Sequence, residues 1–231
     1  MNILFYRYGS ICEPDIIASF KHLGFNITED TREVYNKQLL PSDCIKGLNE
    51  LLKQDTYSFI FSINFFPSVS DVCNIWGIPY LCLIVDSPVL ELFSTSLANP
   101  CNKVFLFDRQ LYNDFHHINP DGIFHIPLAT NVRDNYATAT MASAADRARF
   151  SSDISFIGSL YSEKCLYNQI TLPEKMRGYV DGLIEAQLLV YGYNFIEECV
   201  TPELIDSFTK ARPELTNFPS SMKVDTKAVI A

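Results

Sequence analysis

LCLIVDSP, residues 81–88, is a strand-length apolar run that leads straight into Asp86, Ser87 and Pro88. An unpaired carboxylate is not tolerated inside a sheet, so the run must end where water or a ligand meets Asp86. The same pattern recurs on both sides of it. NILFYR (2–7), FNITED (25–30), YSFIFSIN (57–64), PYLCLIV (79–85), NKVFLFD (102–108) and GIFHIP (122–127) are short runs rich in β-branched and aromatic residues, and read as strands.

The gaps between them read as helices. EPDIIASFKHLGF carries Pro14 in its first turn, places Ile16, Ile17, Phe20 and Leu23 on one face and stops at Gly24. SDCIKGLNELLKQ starts on Ser42 as N-cap and aligns Ile45, Leu48, Leu51 and Leu52. SVSDVCNIWGIP, ended by Gly77, and DRQLYNDFHHI fill the later gaps. Strand and helix in alternation predict an α/β fold, a Rossmann-like doubly wound parallel sheet covered on both faces. The unbroken apolarity of the third, fourth and fifth strands makes them central, and the more polar FNITED lies nearer an edge.

All strands of such a sheet end on one rim, and ligands bind outside their carboxyl ends at a switch point, expected here between the first and fourth strands. Arg7, Tyr8, Gly9, Ser10, Asn64, Phe65, Asp86 and Ser87 then line one crevice. Asp86 is a candidate base there, or caps the following segment SPVLELF; the two roles are compatible. Gly9 and Ser10, ahead of a helix, suit an anion.

Composition narrows the chemistry. The chain has 231 residues, 48% of them hydrophobic and 13% aromatic, with 27 acidic against 18 basic residues and a net charge of -9. No basic cluster interleaved with aromatics is present, which argues against nucleic acid and against an anionic membrane surface. No apolar run reaches transmembrane length, and the first ten residues do not read as a secretory signal. The seven scattered cysteines, none in a C-x-x-C pair, read as buried thiols of a cytoplasmic protein. G-x-G-x-x-G, the P-loop, G-x-S-x-G, H-E-x-x-H and a D-x-D pair are all missing, so no cofactor and no metal are expected. His116 and His117 end a helix, His125 lies in a strand and His22 sits beside Lys21, so they do not read as the converging ligands a metal site needs.

The character changes after residue 130. Residues 1–131 read as the Rossmann-like domain, 132–151 as a linker, and 152–231 as a new strand at Ile154–Ile157, ending in Gly158 and Ser159, followed by helices. A long helix starts at Thr171, Pro173 and Glu174 and aligns Met176, Tyr179, Val180, Leu183, Ile184, Gln187, Leu188 and Tyr191 in one mostly apolar stripe. That stripe needs a cover, either the first domain or a second copy in a homodimer. Thr201 before Pro202 starts a further helix.

FYRYGS, LIVDSP, HIPLATN, DISFIGSLYSEK and LPEKMRGYVDGLIEAQLLVYGYNFIEE together resemble a bacterial family of GT-B-type glycosyltransferases related to spore-maturation-type glycosyltransferases. The resemblance implies two Rossmann-like domains with transfer between them, the N-terminal one binding the acceptor and the C-terminal one the nucleotide sugar. It implies that this chain is the acceptor-binding part, with the first strand and helices of a mostly missing donor domain, and is inactive alone. The expected partner is then a glycan or other hydroxyl acceptor, held near Gly9, Ser10, Asn64, Phe65, Ser87, Gly158 and Ser159; nucleotide sugar would bind only with the donor domain. The rival reading is a non-catalytic α/β domain that recognises a partner or a small anion.

Overall fold

A computed structural model describes residues 1–87, 89–131, 137–138, 140–158, 165–213 and 226–230, the side chains of Leu166 and Ala228 excepted. The chain divides into two compact units, Met1–Met141 and Ala142–Ala231.

The first unit is a six-stranded, all-parallel sheet with helices against it. Its elements run β1 (Asn2–Tyr6), α1 (Glu13–His22), β2 (Asn26–Asp30), α2 (Arg32–Tyr35), α3 (Pro41–Gln54), β3 (Ile60–Ile63), α4 (Pro67–Trp76), β4 (Tyr80–Ile84), β5 (Asn102–Leu106), α5 (Arg109–Phe115) and β6 (Ile123–His125). Each of the six strands expected from the sequence in this unit is present, and the polar β2 lies on an edge, as read. The helix ends follow local chemistry. Gly77, at φ 66°, closes α4 in the left-handed conformation that a Cβ disfavours. Asp108 caps α5 by accepting from the Gln110 and Leu111 amides. α3 begins one residue before Ser42, at Pro41, with no side-chain cap.

The strand order is β2-β1-β3-β4-β5-β6, so β3, not β4, is the inner neighbour of β1. The chain reverses direction across the sheet between β1 and β3, which moves the switch point there from the expected first and fourth strands.

Coverage of the two faces is unequal. α3, α4 and α5 bury one face through Leu48, Leu52, Val69, Val72, Leu111 and Phe115 against Leu4, Ile60, Ile84 and Leu106. On the other, α1 packs Ile17 and Phe20 on Phe5, Phe61 and Ile63. Only α1 belongs to that face among the described helices of this unit. β4 and β5 therefore alternate buried and half-buried residues, and Phe124 and Ile126 remain 38% exposed. Both faces carry helices, as expected, and over β4 to β6 the second face stays partly open for that reason.

The second unit carries helices Ala144–Phe150, Glu174–Gln187, Pro202–Ala211 and Thr226–Ile230. Ser143 and Asp146 form a reciprocal capping box, so the expected linker contains a helix. Ile154–Ile157 forms no strand, and Ile154 and Ile157 are almost fully exposed. An apolar run with no partner strand cannot satisfy its backbone as a sheet does. The long helix is covered in part inside its own unit: Met176 and Val180 pack with Ile170, Leu172, Val200, Leu204 and Phe208. Leu188 and Tyr191 stay exposed. No described helix is long and apolar enough to cross a membrane.

Candidate functional site

The carboxyl rim of β1, β3 and β4 gathers three of the side chains singled out in the sequence. Asn64, just past β3, donates its amide Nδ2 to Asp86 Oδ2 at 2.6 Å and to the Tyr8 hydroxyl at 3.0 Å. Its Oδ1 accepts the Val85 amide at 3.0 Å, and its own N–H bonds Leu83 O at 2.8 Å. Asn64 thus uses its side chain to continue the β3–β4 ladder beyond the point where the backbones part. It does so at φ 58°, the one non-glycine residue with positive φ among those described. Ser62 Oγ holds its carbonyl at 2.7 Å and in turn bonds the buried Tyr80 hydroxyl at 2.6 Å. These bonds to its backbone and side chain hold Asn64 in that conformation and, through it, aim a neighbouring side chain.

What is aimed is Asp86. Its side chain is exposed, Oδ2 is fixed by Asn64, and Oδ1 takes no hydrogen bond among the described residues. The alternative role as a cap is not the one observed: the 3-10 turn Leu90–Phe93 begins after Val89 and has no side-chain cap. Beside Asp86 the Tyr8 phenol is held above its ordinary pKa, first by burial and then by the negative charges of Asp86 and Glu13, against a lowering hydrogen bond with Ser10. Tyr8 is therefore a neutral hydroxyl at working pH.

Asp86 opens into a cavity of about 410 Å³ lined by Ser10, Cys12, Asp15, Val85 and the segment Leu128–Asn131. Asn131 ties that segment down by donating to Asp15 at 2.9 Å. A smaller recess of about 180 Å³ on the other side of Asn64 is lined by Tyr8, Phe65, Phe66, Glu33 and Glu91.

The remaining sequence candidates divide. Gly9, at φ 93°, belongs to the β1–α1 loop, but its amide faces inward. Glu13, in the first turn of α1 and 0% exposed, turns its carboxylate back into that loop. Oε1 accepts the Tyr8 and Gly9 amides at 2.9 and 2.8 Å, and Oε2 pairs with Arg7 Nε at 2.8 Å. Arg7 also pairs with Glu29, so it braces the rim from behind and does not line the crevice. The Gly9 amide that could meet an anion is thus taken by the protein's own carboxylate, while Ser10 lines the Asp86 cavity. Phe65 is 1% exposed and forms the floor of the smaller recess. Ser87 turns away to donate to Asp108 at 3.0 Å. Burial works against ionisation of Asp108, yet the hydrogen bonds from Gln110, Ser87 and Leu111 hold its carboxyl below the usual value. Gly158 lies exposed in the second unit, and Ser159 lies outside the described residues. Among the described residues no group of His, Cys, Asp and Glu is placed to hold a metal ion.

Scanned against family models, curated proteins and solved structures, the chain matches none of them.

Two substitutions test the role given to Asn64. Asn64→Gly and Asn64→Ala lose the same three side-chain bonds, but glycine adopts φ 58° freely whereas alanine is strained there by about 1 kcal/mol. Calorimetry should show the glycine variant melting a few degrees above the alanine variant. An alanine variant melting as high as the glycine one contradicts the clamped geometry.

Proposed function

We propose that the first unit is the acceptor-side domain of a glycosyltransferase on the two-Rossmann-domain plan, with Asp86 receiving the proton of an acceptor hydroxyl. The observation that carries this reading is Glu13. In a nucleotide-binding domain the amides after the first strand are left free for phosphate. Here a buried carboxylate accepts the Tyr8 and Gly9 amides, so those two amides are not free for a phosphate. What the rim offers instead is a hydroxyl, an amide and a carboxylate, Tyr8, Asn64 and Asp86, the set of donors and acceptors that holds a neutral polyhydroxyl compound.

The step assigned to Asp86 is general base catalysis. The acceptor oxygen forms a bond to the anomeric carbon of the donor as its proton passes to Asp86, and the nucleoside diphosphate leaves with the electrons of the broken C–O bond. The donor is held by a domain that the family resemblance implies and that supplies the phosphate-binding groups. Asp86→Asn, assayed for transfer and for melting side by side, tests the reading. Lost turnover with retained stability supports the base role of Asp86; retained turnover contradicts that role.

A further inference from the structure

The open part of the sheet is not flat. Between α1 and the row of residues facing away from α3 to α5 runs a groove of about 320 Å³, lined by Phe20, Leu23, Leu81, Leu83, Phe105 and Ile126, which exposes only apolar surface. Ile16, Ser19 and Leu83 line both this groove and the Asp86 cavity, so the two adjoin. From Leu81 to Asp86 this path follows β4 for roughly 16 Å at about 3.3 Å per residue. It is apolar at one end and carries Asp86 with Asp15 at the other.

From this we infer that the site takes an amphipathic ligand: an unbranched apolar chain lies in the groove along β4, and a neutral hydroxyl head meets Asp86. The inference rests on the acceptor-side reading above and gives it a substrate class, a hydroxyl acceptor on an alkyl or prenyl-like tail. Three features favour a chain over a protein partner. The groove has the volume of a small-ligand site, and such sites are mostly apolar with a few convergent polar groups. It is too small for a helix, whose diameter with side chains is about 10–12 Å. It also leads to a polar group, whereas a surface merely awaiting a cover has no reason to. The carboxylates at the polar end select a neutral head over an anionic one.

Calorimetric titration of the 231-residue chain with 1-octanol, 1-butanol and octanoate tests this. Each methylene buried in the groove strengthens binding, so octanol should bind at least about tenfold more tightly than butanol. Octanoate, which would bring a third carboxylate to Asp15 and Asp86, should bind more weakly than octanol. Ile126→Glu places a charge at the groove wall while leaving the backbone bond from Ile126 N to Leu106 O, and should abolish the preference for the longer chain. Leu23→Glu, at a residue 70% exposed, does the same if the first variant misfolds. Equal binding of octanol and butanol, a preference that survives in both variants, or octanoate binding as tightly as octanol overturns the inference. Absence of saturable octanol binding, the result if another part of the chain or a second copy covers the face, overturns it too. The acceptor-side reading fails separately, through micromolar binding of a nucleotide sugar that is lost on substitution at Gly9 or Ser10.

Discussion

Glu13→Ala should cost the first unit about 3 kcal/mol of stability, lowering its melting temperature by roughly 10 °C. The side chain is 0% exposed and accepts from the Tyr8 amide, the Gly9 amide and the Arg7 guanidinium. Truncation leaves two inward-facing amides without an acceptor and removes one of the two carboxylates that neutralise Arg7. The Glu13 bond is the main influence raising the Arg7 pKa, with burial opposing it and Glu29 adding to it. Glu13→Gln keeps an oxygen for the amides and loses only the charge pair, so it should fall between wild type and alanine. A second readout follows from the same geometry. Millimolar inorganic phosphate should raise the melting point of Glu13→Ala, whose loop amides are free, and leave wild type unchanged. An alanine variant melting within about 2 °C of wild type would show that the buried carboxylate contributes little.

Asp86→Asn should behave in the opposite way, with melting nearly unchanged and turnover down at least about a hundredfold in an active form that includes a donor-binding domain. Asparagine retains the size of the side chain and an oxygen for the Asn64 amide, the one hydrogen bond that ties Asp86 down among the described residues. What it removes is the ability to take a proton. General bases contribute typically about 10²–10⁴-fold, whereas the loss of one exposed charge-assisted hydrogen bond shifts stability by about 1 kcal/mol. The two effects therefore separate cleanly. Unchanged turnover would make Asp86 a ground-state contact and leave the proton to another group or to the leaving diphosphate.

The strands were legible because a buried parallel strand must be apolar on both faces, and the runs around Ile3, Ile60 and Cys82 say so directly. The placement of Asp86 on the rim was legible for the same reason: a carboxylate closes the run. Strand order was not, since periodicity reports burial and not neighbours, and the adjacency of β1 and β3 depends on which crossovers pack together. The uneven cover has a faint trace in the sequence, because Lys103, Phe124 and Ile126 sit on one alternation of the last two strands. Glu13 was visible as an acid in a first helical turn, an ordinary dipole partner. That it folds back onto the preceding loop depends on Gly9 holding φ 93°, which no spacing rule reveals. Asp108, by contrast, stands where a strand meets a helix and is an N-cap that the sequence announces. The misread strand at Ile154–Ile157 shows the limit of apolar runs as evidence: without neighbouring strands there is nothing for them to pair with.

The central claim, that Glu13 closes the loop after β1 to phosphate and so makes this the acceptor side, is tested most directly by calorimetric titration of the 231-residue chain with a panel of nucleotide sugars and with inorganic pyrophosphate. The account predicts no binding tighter than about millimolar, roughly 4 kcal/mol, for any of them. Micromolar binding of a nucleotide sugar, lost on substitution at Gly9 or Ser10, would place the donor in this domain and contradict it.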